Sequence, residues 1–133
     1  LHNFRPSIRA SSRKGKKIYP QHPALAFPFY PDLEIGRINE ALVCSYLEPT
    51  KYWREREREV DFLVERNGKL LPVEVKSKER IRKGELSALV YFMRKYRIKE
   101  AVVIYNGERN EIRLKSKVIR LVPLLEFLWE PKL

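Results

Sequence analysis

The chain has 133 residues, of which 44% are hydrophobic and 34% charged, and its net charge is +11. These values predict one globular domain with a highly charged surface, and the excess of positive charge favours nucleic acid over an acidic membrane surface as the partner. One cysteine and two histidines argue against a disulfide framework, a thiolate zinc cluster and Ser-His-Asp chemistry.

The N-terminal part of the chain divides into a basic segment and the start of the folded domain. Residues 1–16 are rich in Arg, Lys and Ser, which predicts a basic flexible arm or linker. Residues 17–133 are predicted to form a single domain. Within it, residues 17–19 could form a short strand, and four prolines preclude a long helix before Asp32.

The first predicted helix begins at Asp32 or the proline before it and ends near Leu47. Apolar residues recur at helical spacing up to the Glu48-Pro49 pair, where a helix is expected to stop. Glu40 lies beside this apolar stripe. It is either an ordinary surface carboxylate or part of a site, and Gly36, one turn away, leaves room for a close approach.

The stretch from residue 58 to residue 76 predicts a β-hairpin. Apolar and polar residues alternate on both sides of Asn67-Gly68, which is the strongest short hairpin signal. A type I′ turn there places Arg66 opposite Lys69 and thereby sets the register of the whole hairpin. This register predicts one continuous apolar face formed by three opposed pairs: Val60 with Val75, Phe62 with Val73, and Val64 with Leu71.

The other face of this hairpin is acidic, because the same register places Asp61 opposite Glu74 and Glu59 opposite Lys76. Directly opposed side chains lie about 4.5–5.5 Å apart, so two like charges destabilise the pair unless something neutralises them. A divalent cation would do so. The alternative is a solvated hairpin whose carboxylates are offset by Lys76 and nearby arginines. Glu74 and Lys76 point to the same side, and metal-assisted phosphodiester hydrolysis needs such oxygen ligands with a cation beside them.

The rest of the pattern predicts a mixed sheet flanked by helices. Residues 51–53 predict a strand before the hairpin, and residues 85–97 an amphipathic helix after it. Residues 101–105 predict a buried strand, which the preceding helix would connect to the hairpin as a parallel neighbour. Three further elements close the chain: strands at 112–114 and 118–121, and a short helix at 123–129.

The hairpin resembles the core of the PD-(D/E)xK nuclease superfamily, which includes the Holliday-junction resolvases. Val-Asp-Phe-Leu-Val at residues 60–64 followed by Val-Glu-Val-Lys at residues 73–76 carries the resemblance. It implies a restriction-endonuclease-like α/β fold, a mixed β-sheet flanked by helices, and hydrolysis of DNA phosphodiesters. Branched DNA is a candidate substrate by the same resemblance, and cutting two strands symmetrically would require a homodimer.

The superfamily resemblance also implies roles for individual residues. Asp61 and Glu74 would bind Mg²⁺ or Mn²⁺, with the Val75 carbonyl as a further ligand. Glu40 stands where a helix before the hairpin often supplies one more acid, and it would hold the metal directly or through water. Lys76 would orient the attacking water and stabilise charge.

Two groups of basic residues flank this predicted site. Each group is open to two interpretations: contact with the phosphate backbone of a nucleic acid, or a solvated surface whose charges are offset locally. The first group lies in the alternating charge run before the hairpin and the second in the link after it: Arg54, Arg56 and Arg58, then Lys78, Arg80, Arg82 and Lys83.

A narrower resemblance covers roughly residues 17–105. This run is similar to the domain of unknown function that ends many prokaryotic, including archaeal, AAA+ family ATPases, which implies an ATPase module in the same longer chain. The alternative to a nuclease is therefore a non-catalytic module of the same fold that binds nucleic acid or protein for the ATPase. The lack of a membrane-spanning apolar run and of a signal peptide predicts a cytoplasmic protein without a membrane partner.

Overall fold

The computed structural model describes residues 2–4, 35–49 and 51–133. Seven strands and three α-helices form within these ranges. The strands are β1 (His2–Asn3), β2 (Lys51–Glu55), β3 (Arg58–Arg66), β4 (Lys69–Val75), β5 (Glu100–Tyr105), β6 (Asn110–Leu114) and β7 (Lys117–Pro123). The helices are α1 (Ile35–Leu47), α2 (Ser87–Lys95), which follows a 3-10 helix at Lys83–Leu86, and α3 (Leu124–Trp129).

The strands form one mixed sheet in the order β1-β2-β3-β4-β5-β7-β6. β2, β3 and β4 are successive antiparallel neighbours, whereas β5 is parallel to both β4 and β7. The predicted α/β fold with a mixed sheet is therefore confirmed, as is the parallel connection through α2. Among the described residues, no helix has the length and apolar character needed to cross a bilayer.

Only residues 2–4 of the predicted N-terminal arm belong to the part of the chain that the structure describes. His2–Asn3 pair in parallel with β2, and the ring of Phe4 packs edge-on against Phe92 and Tyr96. The first residues of the segment assigned to a flexible arm thus lie against the sheet. The remainder of that segment, the predicted strand at 17–19 and the start of the first helix lie outside the described residues.

The β3–β4 hairpin has the predicted turn and register. Asn67 and Gly68 have φ values of 51° and 74°, as a type I′ turn requires, and Arg66 pairs with Lys69. The ladder then continues to the pair of Phe62 with Val73. The register is confirmed over this part of the hairpin because the turn type and the two-residue period both specify it locally.

A β-bulge interrupts β3 beyond that point. Asp61 and Phe62 together oppose the single residue Tyr52 of β2, as the pairs on either side show: Lys51 with Leu63, and Trp53 with Val60. A bulge inserts one extra residue into a strand. Side chains beyond the bulge therefore point to the opposite face of the sheet from the one that strict alternation predicts.

The predicted continuous apolar face is therefore wrong at Val60. Val60 and Leu63 both belong to the core on the α2 side of the sheet, whereas Phe62 belongs to the core on the α1 side. Strict alternation would have placed Val60 with Phe62. The bulge allows Val60 to be fully buried on the other side instead.

Two apolar cores cover the two faces of the sheet. The α2 side contains Trp53, Phe92 and Met93, and the α1 side contains Val43, Phe62, Ile104 and Phe127 from α1, the sheet and α3; all are at most 1% exposed. Burying each such side chain contributes about 1.5–3 kcal/mol relative to its exposure to water. These cores hold the helices against the sheet and so position the residues at its edge.

One local prediction needs adjustment, and one residue of β4 needs an explanation. The predicted helix at 85–97 begins as a 3-10 helix at Lys83, becomes α-helical at Ser87 and ends at Lys95. Pro72 lies inside β4, a central strand, where its missing N–H would interrupt a ladder. The parallel ladder with β5 begins one residue later, at Val73, so the proline does not interrupt it.

The link after β4 packs against the loop after β5. The N–H of Asn106 donates to the carbonyl of Lys78 at 2.9 Å. A Cβ at Gly107 would overlap the carbonyl oxygen of Glu79 and the ring of Tyr105. We therefore expect Gly107→Ala to lower the free energy of unfolding by about 1–3 kcal/mol through overpacking, measured by urea denaturation.

Gly84 provides the control for this substitution, because a Cβ there meets nothing within 4 Å. Gly84→Ala should leave stability unchanged or raise it by up to about 1 kcal/mol. Equal effects of the two substitutions would contradict the close packing at Gly107.

Candidate metal site at the fork of the sheet

Strands β3 and β4 separate at the bulge, and the carboxylate of Asp61 lies in the opening. Beyond the pair of Phe62 with Val73, the backbone N–H of Val75 donates to Oδ2 of Asp61 at 2.8 Å. In an extended strand the N–H and C=O of one residue point to the same side. The carbonyl of Val75 is thereby directed towards the same opening, which we call the fork.

A cavity of about 500 Å³ lies at the fork. One wall comes from the start of α1 and the other from the 3-10 helix and α2. Its lining is dominated by charged side chains: Arg37, Glu40, Glu57, Glu59, Asp61, Glu74, Lys76, Lys78 and Glu85. The predicted catalytic residues Glu40, Asp61, Glu74 and Lys76 thus share one cavity, together with Val75.

Glu74 is the most buried charged residue of the cavity. It is 6% exposed, and its Oε1 has no hydrogen-bond partner among the described residues. Its Oε2 lies 3.6 Å from the Nζ of Lys76. Burial raises the pKa of Glu74 well above its usual range, the negative charge of Asp61 raises it further, and Lys76 partly offsets both.

A second set of carboxylates meets on the α1 side of the fork. Ligand oxygens of Glu40, Glu59 and Asp61 all lie within 4.8 Å of one another. The structure therefore brings Glu40 to Asp61, as the resemblance implied. It adds Glu59, for which the sequence had indicated only a place opposite Lys76.

The start of α1 is held at the fork by a buried amide. Asn39 is 6% exposed, and its Nδ2 donates to the Oγ of Ser77 at 3.0 Å. A Cβ at Gly36 would lie 3.8 Å from the same hydroxyl oxygen, so the helix approaches the end of β4 closely there. Asn39 directly precedes Glu40 and so positions that carboxylate.

The residues predicted to bind nucleic acid lie at the same edge of the sheet as the fork. The β2–β3 turn and the link after β4 carry them. Arg80, Arg82 and Lys83 are exposed in that link, and Lys78, which also lines the cavity, lies 3.1 Å from Oε1 of Glu85.

The three arginines of the β2–β3 turn have different surroundings. Arg54 donates to the carboxylate of Glu59. The Arg58 guanidinium lies 4.0 Å from the centre of the Tyr91 ring, on the α2 side. Arg56 is exposed in the turn itself, with a φ of 56°. The turn is therefore tight and contains a local charge pair, which is one of the two alternatives that the sequence offered for these arginines.

Several residues of the cavity were not predicted. Glu59 could have been suspected, because it lies two residues from Asp61 on the same strand. Arg37 and Glu85 carry no signal in the sequence alone, since packing between distant segments brings them to the fork, and the same is true of Asn39, which bonds to Ser77 beside the cavity. Glu57 lies in the turn directly before β3, within the alternating charge run.

In a comparison with protein-family models, residues 37–127 match a family described as a domain of unknown function (DUF4143). The matched region is more than half of the chain and includes every residue of the predicted catalytic set. The chain belongs to the DUF4143 family. No curated protein and no solved structure matches the chain significantly. The match agrees with the predicted resemblance to a domain of unknown function.

The buried carboxylate of this DUF4143 domain makes its stability pH-dependent. Because the folded pKa of Glu74 lies above its usual value of 4.5, the folded state retains the proton that the unfolded chain loses. Stability is lost as the pH rises from about 4.5 through the folded pKa. We expect Glu74→Gln to gain stability relative to wild type over that window, and to show little difference below it.

Urea unfolding between about pH 4 and pH 8, with a chelator present, measures this difference. A stability difference between Glu74→Gln and wild type that does not vary with pH would contradict the assignment.

The bond between α1 and β4 can be measured by a double-mutant cycle. Removing either Asn39 or Ser77 breaks the same buried hydrogen bond, so Asn39→Ala and Ser77→Ala should show a coupling of about 0.5–1.5 kcal/mol in unfolding free energy. Within the described ranges, the Oγ of Ser45 donates only to the carbonyl of Leu42 in its own helix. Asn39→Ala combined with Ser45→Ala should therefore be additive, and equal coupling in both cycles would refute a specific bond at the fork.

Proposed function

We propose that this DUF4143 domain is a metal-dependent nuclease that hydrolyses DNA phosphodiesters at the fork between β3 and β4. The observation that carries the proposal is Glu74, a buried carboxylate with an unpartnered oxygen beside Asp61 and Lys76. Titratable residues that have shifted pKa values and lie close together in a cavity are typical of functional sites. The resemblance of residues 60–64 and 73–76 to the PD-(D/E)xK superfamily supports the same reaction.

The residues at the fork fit a divalent cation. A buried carboxylate oxygen without a partner is costly, and a cation would offset that cost. Mg²⁺ and Mn²⁺ prefer oxygen ligands, which Asp61, Glu74, Glu40 and the Val75 carbonyl would supply. When bound, the cation supplies a Lewis acid for the phosphate.

The chain's own residues would then divide the work. The N–H of Val75 fixes one oxygen of Asp61, so this carboxylate enters the site already oriented. Lys76, 3.6 Å from Glu74, would orient the attacking water and stabilise the negative charge that develops on the phosphate. Glu40 would hold the cation directly or through water from the α1 side.

DNA is the proposed substrate because the chain carries a net charge of +11 and exposed cations lie at the same edge of the sheet as the fork. Arg80, Arg82 and Lys83 are the residues proposed to contact its backbone. Branched DNA, an ATPase module in the same longer chain, a homodimer and a cytoplasmic location stay predictions from the sequence.

Cleavage of linear, flapped and four-way DNA with Mg²⁺ or Mn²⁺ tests the proposed reaction. Asp61→Asn should abolish cleavage while DNA binding is retained, because it removes a ligand without removing a surface cation. Lys76→Met should lower the cleavage rate by about 10²–10³-fold. Glu65→Gln, an exposed substitution on β3 near the far end of the hairpin, is the control and should cleave as wild type does.

Cleavage by Asp61→Asn at the wild-type rate would show that the catalytic assignment is wrong. A wild-type protein that binds DNA and metal but cleaves none of these substrates would favour the non-catalytic module.

A further inference from the structure

Glu59 is one of the residues at the fork to which the superfamily motif assigns no role. Its carboxylate lies with those of Glu40 and Asp61, with ligand oxygens of all three within 4.8 Å of one another. It lines the same cavity as Glu74.

The alternation of side chains along β3 explains why the Glu59 carboxylate lies at the fork. Val60 is fully buried in the core on the α2 side, and the residues on either side of it in an extended strand point the other way. Those neighbours are Glu59 and Asp61. Their side chains point to the α1 side of the sheet, where Glu40 lies. Arg58, one residue further, again points to the α2 side, where it stacks on Tyr91.

The carboxylates on the α1 side of the fork lie close to one another and to a cation of β2. Arg54 donates from its Nε to Oε2 of Glu59 at 2.9 Å. The carboxylates of Glu40 and Asp61 lie at close range to Glu59, and like charges this near repel one another. A divalent cation between them would remove that repulsion.

Glu74 gives a separate indication that a cation completes the cavity. It is 6% exposed, no described residue bonds to its Oε1, and it lines the cavity from β4 rather than from β3 or α1. The acidic group on the α1 side and the unpartnered oxygen on β4 therefore converge on one space.

We propose that Glu59 is a further carboxylate ligand of the divalent cation at the fork, in addition to the residues of the superfamily motif. The inference rests on the proposed function, because it concerns the same cation. Arg54 then holds Glu59 in the metal-free protein and competes with the cation for its carboxylate. A purely structural Glu59 would instead serve only to tie β3 to β2 through Arg54.

Calorimetric titration of the full chain with Mn²⁺, without DNA, separates these roles. We expect Glu59→Gln to weaken Mn²⁺ binding by at least about 10-fold and Asp61→Asn to weaken it further. Arg54→Met removes the ion pair but keeps the carboxylate, so it should bind Mn²⁺ as tightly as wild type or more tightly. Glu65→Gln is the matched control on the same strand and should bind as wild type does. Circular dichroism of each variant confirms that the fold is retained.

Three outcomes would overturn the inference. Wild-type affinity in Glu59→Gln, with binding lost in Asp61→Asn, would remove Glu59 as a ligand and leave the proposed function standing. Equal weakening in Arg54→Met and Glu59→Gln would make Glu59 a positioning residue that acts through the β2–β3 ion pair. Absence of Mn²⁺ binding by the wild type, with and without DNA, would overturn the inference and the proposed function together.

Discussion

The hydrogen bond from the N–H of Val75 to the carboxylate of Asp61 holds the fork together. At this point β3 and β4 stop pairing through their backbones, and an N–H left without a partner would be costly. The Asp61 carboxylate supplies that partner at 2.8 Å. A carboxylate is a stronger hydrogen-bond acceptor when it is ionised than when it is neutral.

The bulge at Asp61 and Phe62 makes this arrangement possible. It keeps Phe62 in the core on the α1 side while Val60 and Leu63 stay in the core on the α2 side. Both cores are therefore filled, and Asp61 at the bulge directs its carboxylate into the opening. Bulges are over-represented next to active sites because they redirect a side chain in this way.

The helices determine the chemistry of the fork by approaching it from opposite sides. The Asn39–Ser77 bond fixes the start of α1 against the end of β4, which brings Glu40 to Asp61. On the other side, the hydroxyl of Tyr91 in α2 donates to Glu55, and the Arg58 guanidinium packs on the same ring. The β2–β3 turn is thereby held against α2, and the acidic residues next to it are directed into the cavity. Glu74 is left buried beside Asp61, at a cost to stability above the usual pKa of a glutamate.

The sequence by itself determined the hairpin, its turn and most of its register, the presence of the later strands and the parallel placement of β5, and the spacing of Asp61, Glu74 and Lys76. These features depend on local rules: the two-residue period of a strand, and the backbone angles that Asn67 and Gly68 allow. Only the tertiary structure decided the bulge, the side on which Val60 is buried, the place of Glu59 beside Glu40, and the contact of Asn39 with Ser77. Each of these depends on how two separate cores pack on the sheet. No period or motif within a single stretch of the chain indicates which residue of β3 must be the additional one in the bulge for both cores to pack.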